Sequence, residues 1–227
     1  MSGIEERGFA LVPSAIPADE RRRLLDGIAT QIPPDSARGG TRLRTAAVPA
    51  VRAVASGSTM QAVATSVLGA AAFPVRAIYF DKNASANWKV AWHQDLTIAV
   101  RARVDRDGFG PWSVKAGVPH VQPPVGVLKR MVSVRLHLDD CTASNGPLRV
   151  IPRSHTSGRL SPSDIAATLA RAAEHVCTAR AGDLLVFRPL LLHSSSAAAE
   201  PGHRRVLHIE YAYEPLPGGL EWFEQCA

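Results

Sequence analysis

The spacing of hydrophobic and polar residues along this chain changes period near Pro74. Before it, apolar positions recur at helical intervals. Pro17 to Thr30 puts Leu24, Leu25 and Ile28 on one stripe behind Pro17, with Gly27 as a weak point. Ser58 to Leu68 repeats the pattern through Val63, Val67 and Leu68. Ser58 and Gln61 have the spacing of a capping box, and Gly69 is a natural stop. After Pro74 the period drops to two. VRAIYF (75–80) reads as a strand, and WKVAWHQDLTIAV (88–100) as another with room for a bend. MVSVRLHLDD (131–140) places Val132, Val134, Leu136 and Leu138 on one face and Ser133, Arg135 and His137 on the other. LRVI is a short strand between the SNGPL turn and Pro152. SPSDIAATLARAAEH is a capped helix, AGDLLVFRP a turn and strand, and RRVLHIEYAYE (204–214) the last strand. Residues 105–126, with Gly108, Gly110, Pro111, Gly117 and Pro119, read as a long loop of the kind that forms lids and binding loops.

Helices first and then many strands is not the order of alternating βαβ units. It predicts a mainly β fold, an antiparallel barrel or jelly roll with helices packed outside it. A chain of 227 residues, 46% hydrophobic, can fill one core. One domain is therefore expected over 1–227, with a helical part over about 1–73 and a β core over about 74–214. No apolar run approaches the roughly 20 residues of a membrane span. The N-terminus MSGIEERGF lacks a signal-peptide core, so a cytoplasmic protein is expected. Cys141, Cys177 and Cys226 are far apart and form no CxxC pair, which argues against a disulfide framework or structural zinc. The net charge of +6 has one dense run, Arg21-Arg22-Arg23, inside a helix pattern. That favours a solvated helix face, and the basic balance fits an acidic small substrate at least as well as nucleic acid without deciding between them.

The chemistry gathers around AWHQDLTIAV (91–100). His93 and Asp95 stand two apart in an apolar setting, so a strand points both the same way, and burying them is costly without a partner. His193 follows one hundred residues later in FRPLLLHSSS, read as a strand end, and Arg204 comes eleven residues beyond it. Two imidazoles and a carboxylate can hold Fe(II) by one face and leave positions open. A 2-oxo acid can fill two of these and O2 the third. An Arg suits the far carboxylate of such a co-substrate. By themselves, His93 and Asp95 also fit a buried hydrogen-bonded pair, and His193 a satisfied core histidine. Arg205 competes with Arg204, since a slip of one residue exchanges their faces.

WHQD, NGPLRVIPRSH, AGDLLVFRPLLLHSSS and HRRVLHIEY together resemble the phytanoyl-CoA dioxygenase family of Fe(II)- and 2-oxoglutarate-dependent oxygenases, over about residues 75–214. The resemblance implies a double-stranded β-helix, the cupin-like jelly roll. It implies His93, Asp95 and His193 as iron ligands and catalytic centre, and Arg204 as partner of the C5 carboxylate of 2-oxoglutarate. It also implies an aromatic residue lining the co-substrate pocket, for which Trp112 is the nearest match. One departure is visible: the family's PGSH turn is Pro152-Arg153-Ser154-His155 here. The implied reaction is hydroxylation of a C–H bond of a small molecule, with O2 consumed and succinate and CO2 released. Halogenating relatives carry a small residue where Asp95 stands. Desaturation, epoxidation and ring formation remain open outcomes.

Of the other residues, Asn87, Trp88, Gln94 and Lys115 are candidate contacts to co-substrate or substrate. His137, Arg135 and His208 share faces that fit either cavity or core. His155 and Asp139-Asp140 are read as turn residues, and His120, His175 and His203 as loop or surface. A rival from another class is a jelly-roll protein that binds a metal or small ligand without turnover; a cupin-like isomerase or hydrolase would need more histidine ligands. Neither a membrane nor a nucleic-acid partner is expected. Substrate identity and oligomeric state are not written in the pattern.

Overall fold

The computed structural model describes residues 3–32, 40–45, 47–69 and 72–225. In chain order the elements are α1 (Gly3–Arg7), β1 (Phe9–Val12), α2 (Ala18–Ala29), β2 (Thr41–Leu43), α3 (Pro49–Ala55), α4 (Ser58–Leu68), β3 (Phe73–Lys82), β4 (Val90–His93), β5 (Ile98–Ala99), β6 (Trp112–Lys115), β7 (Val118–Val121), α5 (Val125–Lys129), β8 (Met131–His137), β9 (Leu148–Val150), a 3-10 turn (Ser154–Ser157), α6 (Pro162–Leu169), β10 (His175–Cys177), β11 (Leu184–Phe187), β12 (His193–Ser195) and β13 (Arg204–Ala212). Antiparallel pairing builds a major sheet ordered β1-β11-β8-β13-β3-β2 and a minor sheet ordered β10-β9-β12-β4. This is the expected mainly β jelly roll with flanking helices.

The alternation read in β8 and β13 divides the interior in two. Val132, Val134, Leu136, Leu207, Ile209 and Tyr211 point outward and pack with Leu24, Ile28, Val51, Val54 and Met60 of the helices. The inward faces carry Ser133, Arg135 and His137 on β8, and Arg204, Val206, His208 and Glu210 on β13. All of these are buried too. The main apolar core therefore lies between the major sheet and the helices, while the space between the sheets is polar along β8 and β13 and apolar where Phe9, Leu185 and Phe187 meet Leu148 and Val150.

Several expectations change. The first third is not purely helical: β1 and β2 pair with β11 and β3 and close the two edges of the major sheet. Short segments of three or four residues give too few repeats for a period to show. Ser58 does not cap α4; the N-cap is Gly57, with no side-chain bond. The capping box that does form joins Ser161 and Asp164 at α6, which ends at Leu169, before the sheet claims His175. Residues 105–126 are not one loop. β6 and β7 form a hairpin around Ala116 (φ +52°) and Gly117 (φ +77°), and β5 adds a third strand. The hairpin was hidden by Pro119, a residue unusual in strands. Arg153, where the sequence put the shape of the turn in question, takes the left-handed conformation (φ +69°) that favours glycine. Cys141 and Cys177 are buried and unbonded, and Cys226 lies outside the described residues.

Candidate functional site

The strand carrying His93 ends at that residue, so Asp95 is not a strand neighbour on the same face. Its backbone N–H donates to Pro189 O, 2.9 Å away, and a bend brings its carboxylate back to the imidazole. His193 begins β12, where the sequence had placed it at a strand end, and it stands directly opposite His93 in the β12–β4 ladder. The register shifts between His193 and Ser195, a bulge of the kind that re-aims side chains beside active sites. The two rings lie 4.2 Å apart between centroids. Asp95 Oδ1 is 3.8 Å from His93 Nε2, and Oδ2 is 3.7 Å from His193 Nε2.

The tautomers follow from the backbone. His93 Nδ1 is 2.9 Å from Ala91 O, and His193 Nδ1 is 2.9 Å from Leu191 O. A carbonyl can only accept, so each Nδ1–H donates and each Nε2 turns a lone pair toward Asp95. Burial pushes His193 down to about 4, against a smaller opposing pull from Asp95, so its imidazole is neutral near pH 7. Burial would raise Asp95, but His193, His208, His93 and Arg76 outweigh it and hold the carboxyl below its usual range. One atom from each residue lies within 4.8 Å of the others, as ligands of one metal ion require. This donor set, two imidazoles and a carboxylate, with each ring's Nδ1 already tied to a backbone carbonyl, fits a divalent iron. Asp95, His208 and Glu210 form a second such group. Glu210 is already paired with Arg76, which makes that group a poor rival for the metal.

These residues open into a cavity of about 140 Å³ that is continuous with solvent. Ile78, Phe80, Trp88 and Phe187 form its apolar walls, and Arg135, Arg204, Arg76 and Glu210 its polar ones. Arg204 is 1% exposed, and its Nε and Nη1 have no partner. Arg205 points away and makes a two-bonded pair with Asp139, at 2.8 and 2.7 Å. Burial, then the nearby Arg204, pushes Arg135 down to about 9. Lys82, pushed down to about 8 by burial and then by Arg204 and Arg135, donates to Ser195 Oγ (3.2 Å) and to Ser196 O. Gly146 permits this packing, because a Cβ there would lie 2.8 Å from Lys82 Nζ.

Trp112 is not in this cavity. It lies in β6, against the cluster around Val121 and Leu128, with Arg103 over its ring. The aromatic wall is made instead by Trp88 and Phe80. Asn87 braces Ala198, and Gln94 ties Gly158, Leu160 and Leu190 together, so both hold backbone. Lys115 donates to Thr97 Oγ1. His155 braces its turn through Glu5 O, and Asp140 accepts from Ala181 N–H. His120 is fully buried and not a surface residue, with Nε2 unpartnered beside a second cavity. Arg76, Lys82 and Glu210 drew no attention in the sequence. Their signal was the same alternation: Arg76, Ile78, Phe80 and Lys82 share a face of β3 as Arg204, Val206, His208 and Glu210 share one of β13.

Among solved structures, the fold matches that of EctD from S. alaskensis with 2-oxoglutarate and 5-hydroxyectoine. The TM-score is 0.70 at 19% identity, over 93% of this chain and 74% of that one. It also matches the epimerase SnoN from nogalamycin biosynthesis in complex with Fe3+, alpha ketoglutarate and nogalamycin RO (TM-score 0.69, 17% identity, 100% and 92% covered). A third is the carbocyclase SnoK from nogalamycin biosynthesis (0.72, 13% identity, 97% and 93% covered). None of the curated protein sequences compared with the chain matches it. The family model for phytanoyl-CoA dioxygenase matches residues 4–206, which spans α1 through the start of β13 and takes in His93, Asp95, His193 and Arg204. Its length is what decides the assignment: the chain belongs to the phytanoyl-CoA dioxygenase family, whose members use Fe(II), 2-oxoglutarate and O2.

Proposed function

We propose that this protein is a hydroxylase of a small-molecule C–H bond, with His93, Asp95 and His193 holding the iron and Arg204 receiving the C5 carboxylate of 2-oxoglutarate. The observation that carries the reading is the convergence of two lone-pair nitrogens and one carboxylate at the inner end of a cavity that also holds an unpartnered buried guanidinium. The chemistry supplied by the bound metal is activation of O2, coupled to decarboxylation of the 2-oxo acid to succinate and CO2.

The chain's own contribution is placement. Ala91 and Leu191 carbonyls fix both rings, so the donor atoms need no reorganisation. Arg204 sets the direction from which a dicarboxylate enters, because a permanent charge without a partner accepts an anion there and rejects a neutral end. Phe80, Trp88 and Phe187 keep the reacting region poor in water, which limits oxidant lost to side reactions. The Arg76–Glu210 pair, close to Asp95, gives the open side one donor and one acceptor with which to orient a polar substrate.

We read the substrate as a small diffusible molecule and the setting as the cytoplasm. No helix among the described residues is long and apolar enough to cross a membrane. Surface cations such as Arg101, Arg103 and Arg149 are spent on local acids and do not form a strip for nucleic acid. The test is succinate formation that requires Fe(II), 2-oxoglutarate and O2 together, read with the product's mass. One added oxygen atom supports hydroxylation. A product of unchanged mass or two hydrogens fewer would point to epimerisation or ring closure. Metal binding without succinate would replace the enzyme reading with that of a binding protein.

A further inference from the structure

One end of the cavity holds more buried positive charge than a single carboxylate anchor needs. Arg204 and Lys82 stand directly opposite each other in the β13–β3 ladder, both at 1% exposure or less. Like charges in that relation destabilise a sheet. On the next inward rung Val206 faces Phe80 on one side and His137 on the other, and on the rung after that His208 faces Arg135. The Arg135 side chain leans back along the sheet, so that its guanidinium carbon sits 5.2 Å from the centre of the Phe80 ring, toward Arg204. Three cations thus gather within three rungs.

Among the described residues no carboxylate forms an ion pair with any of them. Lys82 has its own acceptors in Ser195 and Ser196. The guanidiniums do not: Nε of Arg135 and Nε and Nη1 of Arg204 are buried without a partner. His137, beside them, is kept neutral and offers no negative charge. The cavity's acids are engaged elsewhere, Asp95 with the two histidines and Glu210 with Arg76. A fold that keeps two uncompensated guanidiniums out of water needs a ligand to compensate them. One carboxylate has two oxygens and about four acceptor directions, enough for two guanidiniums at once.

We propose that Arg135 is a second anchor for the distal carboxylate of the 2-oxo acid, which is gripped between Arg135 and Arg204, and that this end of the cavity binds a dicarboxylate with no metal present. The identity of the co-substrate rests on the function proposed above; the anion grip does not. Arg135 is a specificity-determining residue in this scheme: it favours 2-oxo acids that end in a carboxylate, and it slows the departure of succinate.

The probe is glutarate, which has both carboxylates of 2-oxoglutarate but no 2-oxo group to chelate a metal. Binding to the chelator-treated full chain is measured by calorimetry and by thermal shift. Wild type is expected to bind glutarate, with affinity at least tenfold weaker in Arg135→Gln and intermediate in Arg135→Lys, which keeps the charge without the fork. Arg205→Gln should bind like wild type. Without ligand, Arg135→Gln should melt no lower than wild type, since it removes a buried unpaired charge; if it does not fold, Arg135→Met replaces it. Equal glutarate affinity in wild type and Arg135→Gln would overturn the proposal. So would absence of binding to the metal-free wild type, or inorganic phosphate binding as well as glutarate. Turnover of 2-oxoglutarate to succinate together with Arg135-independent glutarate binding would remove the second anchor alone. Arg135-dependent glutarate binding in a protein that makes no succinate would remove the enzymatic reading and leave the grip in place.

Discussion

Exchanging Arg204 for Met, which keeps the side chain's length and bulk but not its charge, should raise the KM for 2-oxoglutarate by about a hundredfold. Two estimates bracket the effect. Breaking one side of a buried, hydrogen-bonded ion pair costs about 3–5 kcal/mol. Two unit charges about 4 Å apart at an effective dielectric of roughly 20 attract by about 4 kcal/mol. At about 1.4 kcal/mol per decade, the first gives about two to four decades and the second about three. The lower end applies here, because Arg135 lines the same cavity and Lys82 stands opposite Arg204 in the ladder, so part of the attraction is retained. Arg205→Met is the matched control. Arg205 shares its pair with Asp139 at side-chain exposures of 31% and 21%, outside the cavity. Its loss should leave the KM within twofold while removing about 1 kcal/mol of stability, a fall in Tm of about 2–4 °C. The assay is initial-rate succinate formation over a range of 2-oxoglutarate concentrations, beside thermal melts of the ligand-free proteins. A large KM effect from Arg205 and none from Arg204 would refute the argument, and with it the register of β13.

His93→Ala or His193→Ala should lower iron affinity by orders of magnitude and abolish succinate formation; near-native iron content by metal analysis would remove that residue from the ligand set. Asp95→Ala should bind iron weakly through the two histidines and lose hydroxylation, and product mass with and without added chloride shows whether the vacated position admits a halide. Acid should destabilise the fold between about pH 6.5 and 4, because His120 (about 4), His137 (about 3) and His193 (about 4) stay neutral when folded, chiefly through burial, while the unfolded chain takes up protons from about 6.5. His137→Gln should reduce that slope by about 1 kcal/mol per pH unit, read from urea melts at pH 6.5 and 5. Amides in the β6–β7 ladder, such as Ser113 and His120, should be protected from hydrogen exchange without substrate; exchange at loop rates would restore the lid expectation for this stretch.

What the sequence disclosed and what it hid follow from the length of each signal. β8 and β13, with seven and nine residues, show their alternation plainly, and the positions of Arg135, His137, Arg204 and His208 on inward faces can be read from it. The iron-site candidates were legible as HxD and a distant His, but their geometry was not: Asp95 reaches His93 through a bend and the hydrogen bond to Pro189, which no spacing encodes. β1, β2 and the 112–121 hairpin are defined by partners far along the chain, so their own three or four residues carry too little pattern. Trp112 was picked for nearness in sequence, whereas Trp88 reaches the cavity by proximity in space. The Arg76–Glu210 pair was missed because its members are 134 positions apart.

The division of β13 into two faces has a consequence for variation in this protein. Leu207, Ile209 and Tyr211 serve the outer core, and Arg204, His208 and Glu210 serve the cavity, one residue apart along a single strand. A scan of every substitution along 204–211 should therefore flicker with a period of two. Odd positions from 207 should alter how much protein accumulates, through lost packing. Even positions should alter what accumulated protein does at equal abundance. Selection can then reshape the cavity for a new substrate through the even positions while drawing little on the reserve of stability held by the odd ones. One inserted residue would exchange the two sets and lose both at once.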